Sequence, residues 1–123
     1  IEQEFGERVA YIVAKLTNAP IFEGESKQEA ANRKKTDNLR IANSTPEVWL
    51  VKFCDRIDNL QSIKGWSKGR VLSYIKKTQD LLSCVNNAMD KINPPDYLIT
   101  LFYFTMRAMD KVATEYELNW VEI

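Results

Sequence analysis

The chain contains no histidine among its 123 residues. Histidine is the usual general base beside a nucleophilic serine or cysteine, so its absence excludes the Ser–His and Cys–His mechanisms of acyl transfer. Histidine is also the commonest side-chain ligand of metal ions in proteins. A metal-dependent function therefore lacks its usual ligands in this chain.

The lack of net charge, of long apolar runs and of many cysteines excludes several further classes of protein. Lys+Arg and Asp+Glu number 17 each, and this zero net charge argues against a general nucleic-acid-binding protein and a polybasic membrane anchor. No apolar run approaches the ~20 residues of a membrane span, and the charged residues 2–4 (EQE) do not begin a signal peptide. The two cysteines, Cys54 and Cys84, occur in apolar helical contexts. We expect buried, reduced thiols in a cytoplasmic protein.

Glycine and proline, at four residues each, separate the helical segments. Helical spacing of apolar residues, or in the second segment a polar helix-forming composition, predicts helices over residues 2–16, 27–43, 46–63, 68–92 and 96–117. Ser26 and Thr45 are predicted N-caps, and Pro46 suits a first helical turn. No stretch alternates as a β-strand does. We therefore predict an all-α fold, a bundle of about five helices in one domain over residues 1–123.

The segment 51–60 (VKFCDRIDNL) places an ionisable Asp55 in an otherwise apolar helix. A buried carboxylate is costly unless an arginine, a lysine or a metal ion accompanies it. Asn59 lies one turn further on the same face. Two interpretations are equally open. Asp55 is a ligand of a divalent metal and Asn59 orients a phosphate or water, or Asp55 forms a buried ion pair with Arg56 or Lys52 that only locks helices together.

Two basic groups permit phosphate binding, although each also has a simpler interpretation. The run 33–35 (RKK), with Arg40, lies on a polar helix and could clamp phosphates, but a solvated surface is favoured. Arg70 and Tyr74 are one turn apart and would suit a nucleotide, but an exposed arginine and a half-buried tyrosine are favoured. Core packing is the simplest role for the aromatic stripe Tyr97, Phe102, Tyr103 and Phe104.

Three stretches together resemble a known family. Residues 51–60 resemble the (L/V)KLAD(R/K)LxN(L/M) signature of the HD-type hydrolase domain of the RelA/SpoT group. Residues 5–17 (FGERVAYIVAKLT) resemble the helix that follows the His-Asp dipeptide in that family. The segment 65–67 (GWS), followed by Arg70 and Tyr74, is similar to the small single-domain SpoT homologues. The resemblance runs from about residue 4 to about residue 80.

The resemblance implies an all-α, metal-dependent phosphohydrolase that removes the 3′-pyrophosphate from (p)ppGpp-type guanosine nucleotides, commonly with Mn²⁺. Some small members of the family are linked to NADPH dephosphorylation. It implies that Asp55 is the last metal-ligating aspartate, that Asn59 is a catalytic residue near metal and substrate, and that Arg56 is structural. The residues expected to bind the substrate are Arg70, Tyr74, Lys34 and Lys35.

The chain departs from the family because the first histidine, the His-Asp pair and the following acidic pair are missing. One carboxylate cannot build a catalytic metal site, so we expect this chain to be inactive alone. Two explanations remain. The favoured one is that the chain is the C-terminal part of a small stand-alone HD hydrolase, whose bared apolar surface would promote homo-oligomer formation. The other is a naturally short, degenerate binding or regulatory module.

Overall fold

Five helices make up most of residues 6–119, the part of the chain that the computed structural model describes. They are α1 (Glu7–Leu16), α2 (Lys27–Ala42), α3 (Pro46–Gln61), α4 (Lys68–Met89) and α5 (Asp96–Glu115). No strand occurs within these described residues, so the predicted all-α fold of about five helices is confirmed. None of the helices between residues 6 and 119 combines the length and the apolar character needed to cross a membrane.

The first predicted helix ends at Leu16 as expected, whereas the other four predicted helices extend one to three residues too far at their C-terminal ends. The helix predicted over 46–63 ends at Gln61, and apolar Ile63 instead packs into the core from the turn that follows. The helix predicted over 68–92 ends at Met89, ahead of the two prolines at 94–95, which disfavour helical backbone before them. The helix predicted over 96–117 ends at Glu115. Residues 2–5 of the first predicted helix lie outside the described residues.

The predicted N-cap at Ser26 is confirmed. Thr45 also occupies an N-cap position, but the expected hydrogen bond from its side chain to the first turn is not formed. The Glu29 amide donates to Ser26 Oγ at 3.0 Å, and the Ser26 amide donates back to the Glu29 carboxylate at 3.4 Å, which completes a capping box. Thr45 stands at the start of α3 but makes no capping hydrogen bond. Its Oγ1 is buried and has no hydrogen-bond partner among the described residues.

Helix α3 packs most extensively against α5, while α2 packs against α4. Phe53 of α3 is fully buried, and its ring meets Phe102 edge to face with the centroids 5.9 Å apart. α5 buries the stripe that contains Leu98 and Met109. The core therefore lies along the α3–α5 contact and continues into the α4 residues Val71, Ile75, Leu81, Leu82 and Val85.

Two predictions about burial are wrong. Of the four aromatic residues assigned to the core, Tyr97, Tyr103 and Phe104 are about half exposed, because they lie beside the stripe that α5 buries. The two cysteines are not buried either. Cys54 is exposed and Cys84 is only partly covered. Helical spacing alone did not reveal which side of an aromatic-rich helix would face a neighbour.

Buried Asp37 ties α2 to the loop after α1. The Ala19 amide donates to Asp37 Oδ1 at 3.0 Å, and Arg40 Nη1 donates to the same oxygen at 2.6 Å. Burial by itself would raise the pKa of Asp37, but the Ala19 amide and the Arg40 guanidinium outweigh it and lower the pKa. Arg40 Nε also donates to the Lys15 carbonyl at 3.0 Å. These contacts fix α2 against the end of α1 and the loop that follows it.

The two caps allow a paired test of local helix energetics. We expect Ser26→Ala to lower the free energy of unfolding by about 1 kcal/mol, because the Glu29 amide loses its acceptor, Ser26 Oγ. Thr45→Ala is the matched change at an N-cap whose hydroxyl makes no bond, so it should change the same free energy by less than about 0.5 kcal/mol. Urea denaturation followed by circular dichroism measures both. An equal loss for the two variants would contradict the assignment of the capping box.

Candidate functional site

Asp55 is not buried, which corrects the premise of the ion-pair interpretation. Its side chain is 52% exposed, whereas that of Lys52 is only 14% exposed. Lys52 Nζ lies 3.9 Å from Asp55 Oδ2, one turn earlier on α3. The predicted contact with Lys52 therefore exists, but the buried partner is the lysine. An exposed carboxylate at this position remains accessible to a cation from solvent.

The structure brings Asn59 and Tyr74 together, although they lie on different helices. Asn59 Nδ2 donates a hydrogen bond to the Tyr74 hydroxyl at 2.9 Å. Asn59 shares its face of α3 with Lys52 and Arg56, since spacings of three and four residues place side chains in one row. That row turns toward α4, which carries Tyr74. Two residues singled out separately in the sequence thus belong to one site.

Two aromatic rings in contact lie between two arginines, in a row that runs from the start of α4 to the middle of α3. The Arg70 guanidinium lies 3.8 Å from the centroid of the Trp66 ring, and Trp66 meets Tyr74 edge to face at 5.5 Å. On the other side of Tyr74, the Arg56 guanidinium lies 4.6 Å from the ring centroid. Such cation–π contacts stabilise both partners and orient the guanidinium planes. Arg70 therefore belongs to the site by virtue of its contact with the Trp66 ring.

Sequence reasoning missed the part played by Trp66 and Arg56. In the sequence, Trp66 stands out only through the GWS segment of the family resemblance, and Arg56 only as an ion-pair partner or a structural residue. The four-residue spacing from Trp66 to Arg70 was a usable signal, because it places the two side chains next to each other across the start of α4. The contact between Arg56 and Tyr74 joins two helices, so no local sequence pattern predicts it.

Four cations on α2, α3 and α4 lie near this stack, and we call Lys34, Lys52, Arg56 and Lys77 the cationic cluster. Burial lowers the pKa of Lys52, and the charge of Arg56 lowers it further, against the weaker opposite effect of Asp55. Burial also lowers the pKa of Lys77, with added repulsion from Lys34 and Arg56. Repulsion of this kind indicates a site that would gain from an incoming anion.

Arg56 also has hydrogen-bonding capacity left over. Its Nη1 donates to Thr78 Oγ1 at 3.4 Å, which is a long bond, and its Nε is buried without a partner among the described residues. A buried guanidinium nitrogen without an acceptor carries a free-energy cost that a phosphate or carboxylate oxygen would relieve.

Two of the predicted phosphate-binding lysines differ in their surroundings. Lys34 is exposed on α2, and its charge contributes to the lowered pKa of Lys77. Lys35 is also exposed, and no contact joins it to the site. Arg33, in the same run, is engaged elsewhere, because its guanidinium pairs with the Glu25 carboxylate at 2.9 Å. Arg33 also repels Lys77, but its charge is paired with Glu25, so Lys34 is the residue of this run that we count in the cationic cluster.

The residues present do not make a metal centre on their own. Between residues 6 and 119, no group of three acidic, cysteine or histidine side chains is arranged to hold a metal ion. Asp55 offers one carboxylate, and a catalytic divalent metal takes about three protein ligands and keeps a position open for water. Asp55 can therefore be one ligand of a metal site but not the whole of one.

Comparison of the chain with protein-family models, with curated proteins and with solved structures gives no match in any of the three.

The crowded cations should reduce the stability of the protein in the absence of ligand. We expect Lys52→Met to raise the free energy of unfolding at neutral pH by about 1 kcal/mol, because it removes a buried charge beside Arg56 and keeps the apolar stem. Since the pKa of Lys52 is lowered in the folded state, wild-type stability should rise with pH through the folded pKa toward the ordinary value of 10.5.

Denaturant titrations across the alkaline range measure this dependence, and the rise should be smaller in Lys52→Met. Exposed Lys35 provides the control, because Lys35→Met should leave both the stability and its pH dependence close to wild type. A loss of stability in Lys52→Met would show that the Asp55 contact outweighs burial and repulsion.

Proposed function

We propose that this chain carries the nucleotide-binding side of an HD-type, metal-dependent phosphohydrolase acting on guanosine 3′,5′-bis(diphosphate)-type nucleotides. The observation that carries the proposal is the cationic cluster beside the Arg70–Trp66–Tyr74–Arg56 stack, one turn from Asp55. It supports binding of a ligand with several phosphates and a flat ring. The resemblance of residues 51–60 to the HD signature supports the choice of this class.

The phosphates are assigned to the cationic cluster. Arg56 has a buried Nε without an acceptor, and a phosphate oxygen would supply one. Binding a polyanion would also reverse the like-charge repulsion that lowers the pKa values of Lys52 and Lys77. The two lysines would then hold their protons more tightly, so binding takes up protons at alkaline pH.

The nucleoside is assigned to the aromatic end of the site. Trp66 and Arg70 already stack on each other at the start of α4, and a purine has the flat face that both prefer. The Asn59–Tyr74 hydrogen bond lies between this end and the phosphates. Asn59 is proposed as the catalytic-site residue that orients a phosphate or water, and Tyr74 holds its amide in place.

Asp55 is proposed as one ligand of a divalent cation, with Mn²⁺ as the favoured ion. Its exposed carboxylate supports this role, and the adjacent Lys52 ammonium is the group that an incoming cation would displace. The other ligands implied by the resemblance, histidines above all, are not in this chain. We therefore assign binding of the nucleotide to these residues and no hydrolytic step.

A second candidate is a non-enzymatic helical binding or regulatory module. The observation that favours it is the absence of a three-ligand metal group between residues 6 and 119. Both candidates use the same cationic cluster to bind a nucleotide. They differ in whether Asp55 and a divalent cation contribute to the bound state.

Nucleotide binding can be measured by calorimetry with guanosine 3′,5′-bis(diphosphate) and with inorganic pyrophosphate. We expect the double variant Arg56→Gln, Lys77→Gln to weaken binding of both by at least about tenfold, since charge-assisted bonds are lost. Trp66→Leu should weaken binding of the nucleotide but not of pyrophosphate, because only the base uses the ring. Lys35→Gln is the control and should bind like wild type. Equal affinities for all variants would contradict the assigned site.

Asp55 separates the two candidate functions. For the phosphohydrolase, Mn²⁺ should strengthen nucleotide binding to the wild type but not to Asp55→Asn, and both should bind alike without metal. For the binding module, Mn²⁺ should act equally on both. In a protein that has the full ligand set, Asp55→Ala is expected to abolish metal binding and turnover while leaving helicity largely intact. Turnover at the wild-type rate in that variant would show that Asp55 is not a ligand.

A further inference from the structure

A second concave site lies between the end of α3 and the second half of α5. It is a cavity of about 790 Å³ and shares no lining residue with the cationic cluster or the aromatic stack. Pockets that bind small molecules commonly measure about 300–1,000 Å³. The cavity is therefore large enough for a ligand of its own, and the proposed nucleotide site does not use it.

The floor of the cavity is aliphatic. Leu60, Ile63 and Val112 are almost fully buried and line it together with Ile57. The Tyr116 hydroxyl donates to the Ile63 carbonyl at 3.3 Å and so ties the end of α5 to the turn after α3. This bond holds one wall of the cavity in place without a ligand. A branched aliphatic floor suits an alkyl chain, because it offers many dispersion contacts and no hydrogen-bonding group.

The mouth of the cavity carries an excess of positive charge. Lys64, Arg107 and Lys111 line it against a single acidic residue, Glu115. Arg107 and Lys111 are four residues apart on α5, so they share one face of the helix. None of the three cations forms an ion pair with any residue between 6 and 119. Their charges are therefore available to an anion at the mouth.

We infer that this cavity binds an amphiphile with an alkyl chain and one anionic head group, of the long-chain carboxylate class. The alkyl chain lies on the floor formed by Leu60, Ile63 and Val112, and the head group contacts Arg107 and Lys111. The combination selects against a neutral chain, which would leave the cations without a partner, and against an alkylammonium, which they repel. The inference is independent of the proposed nucleotide site.

Calorimetry with dodecanoate, at a concentration below its micelle formation, tests the inference. We expect one dodecanoate per chain and at least about tenfold weaker binding of dodecyl maltoside and of dodecylammonium. Arg107→Gln with Lys111→Gln should weaken dodecanoate binding by about tenfold. Exposed Lys27 of α2 provides the control, and Lys27→Gln should bind dodecanoate like wild type.

A second variant tests the floor rather than the charges. Ala108 lines the cavity from α5 and is only partly buried, so Ala108→Leu extends an alkyl group into the space that the ligand chain would fill. Weaker dodecanoate binding in Ala108→Leu, with an unchanged circular dichroism spectrum, supports the inference. Equal binding of dodecanoate and the neutral maltoside, or wild-type affinity in both cavity variants, overturns it. Binding only to phosphatidylglycerol vesicles, without binding of free dodecanoate, also overturns it in favour of a membrane-surface contact.

Discussion

The placement of two long cations, Lys52 and Arg56, on the inner row of α3 governs most of what the structure implies about function. α3 uses its other side to bury Phe53, Val48 and Leu60 in the core, so its position is fixed by packing. The backbones of α3 and α4 make little direct contact, and side chains such as Arg56 and Tyr74 span the space between them. Because the helices are held elsewhere, this space can keep charges that do not stabilise the fold.

Placing these cations between α3 and α4 lowers the free energy of unfolding, and the needs of folding alone do not explain that cost. A helix contact that served only to hold the fold together would replace buried Lys52 with an apolar residue or give it a buried acidic partner, whereas its partner here, Asp55, is half exposed and 3.9 Å away. Here burial and repulsion lower the pKa values of both lysines, and Arg56 Nε lies buried without an acceptor. Local violations of good packing concentrate at functional sites, where a ligand supplies what the fold leaves out. This reasoning favours an anion site over a neutral structural contact.

The sequence predicted the fold more completely than the site, and the reason is the range of the interactions. Helix starts depend on neighbours in the chain, so Ser26 and its capping box could be predicted from four consecutive residues. Thr45 is also a hydroxyl residue at an N-cap position, but its Oγ1 is buried and makes no hydrogen bond among the described residues. The prediction that Tyr103 and Phe104 lie in the core is wrong for a similar reason, since only the neighbouring helices decide which stripe of α5 is covered.

Within the site, the structure bears on which residues meet and not on their roles. Asn59 and Tyr74, singled out on two different helices, are hydrogen-bonded to each other, while the roles of Asn59, Arg70 and Tyr74 stay predictions. Lys77 was missed because its membership of the cluster depends on α2 and α3, which lie far from it in sequence. The homo-oligomer stays a prediction, with the exposed apolar side chains of α1 and α5 as the surfaces available to it.

The exposure of Asp55 is the observation that keeps an enzymatic interpretation open. A carboxylate that only locked helices together would be drawn into the space between α3 and α4, where Arg56 and Lys77 carry uncompensated charge. Asp55 instead points its half-exposed side chain outward and leaves Lys52 to face the cations. Asp55, the candidate metal ligand of the sequence analysis, thus lies at the surface, with positive charge concentrated behind it. An anionic ligand held by that charge would lie next to the carboxylate, which is the order a metal-bridged phosphate requires.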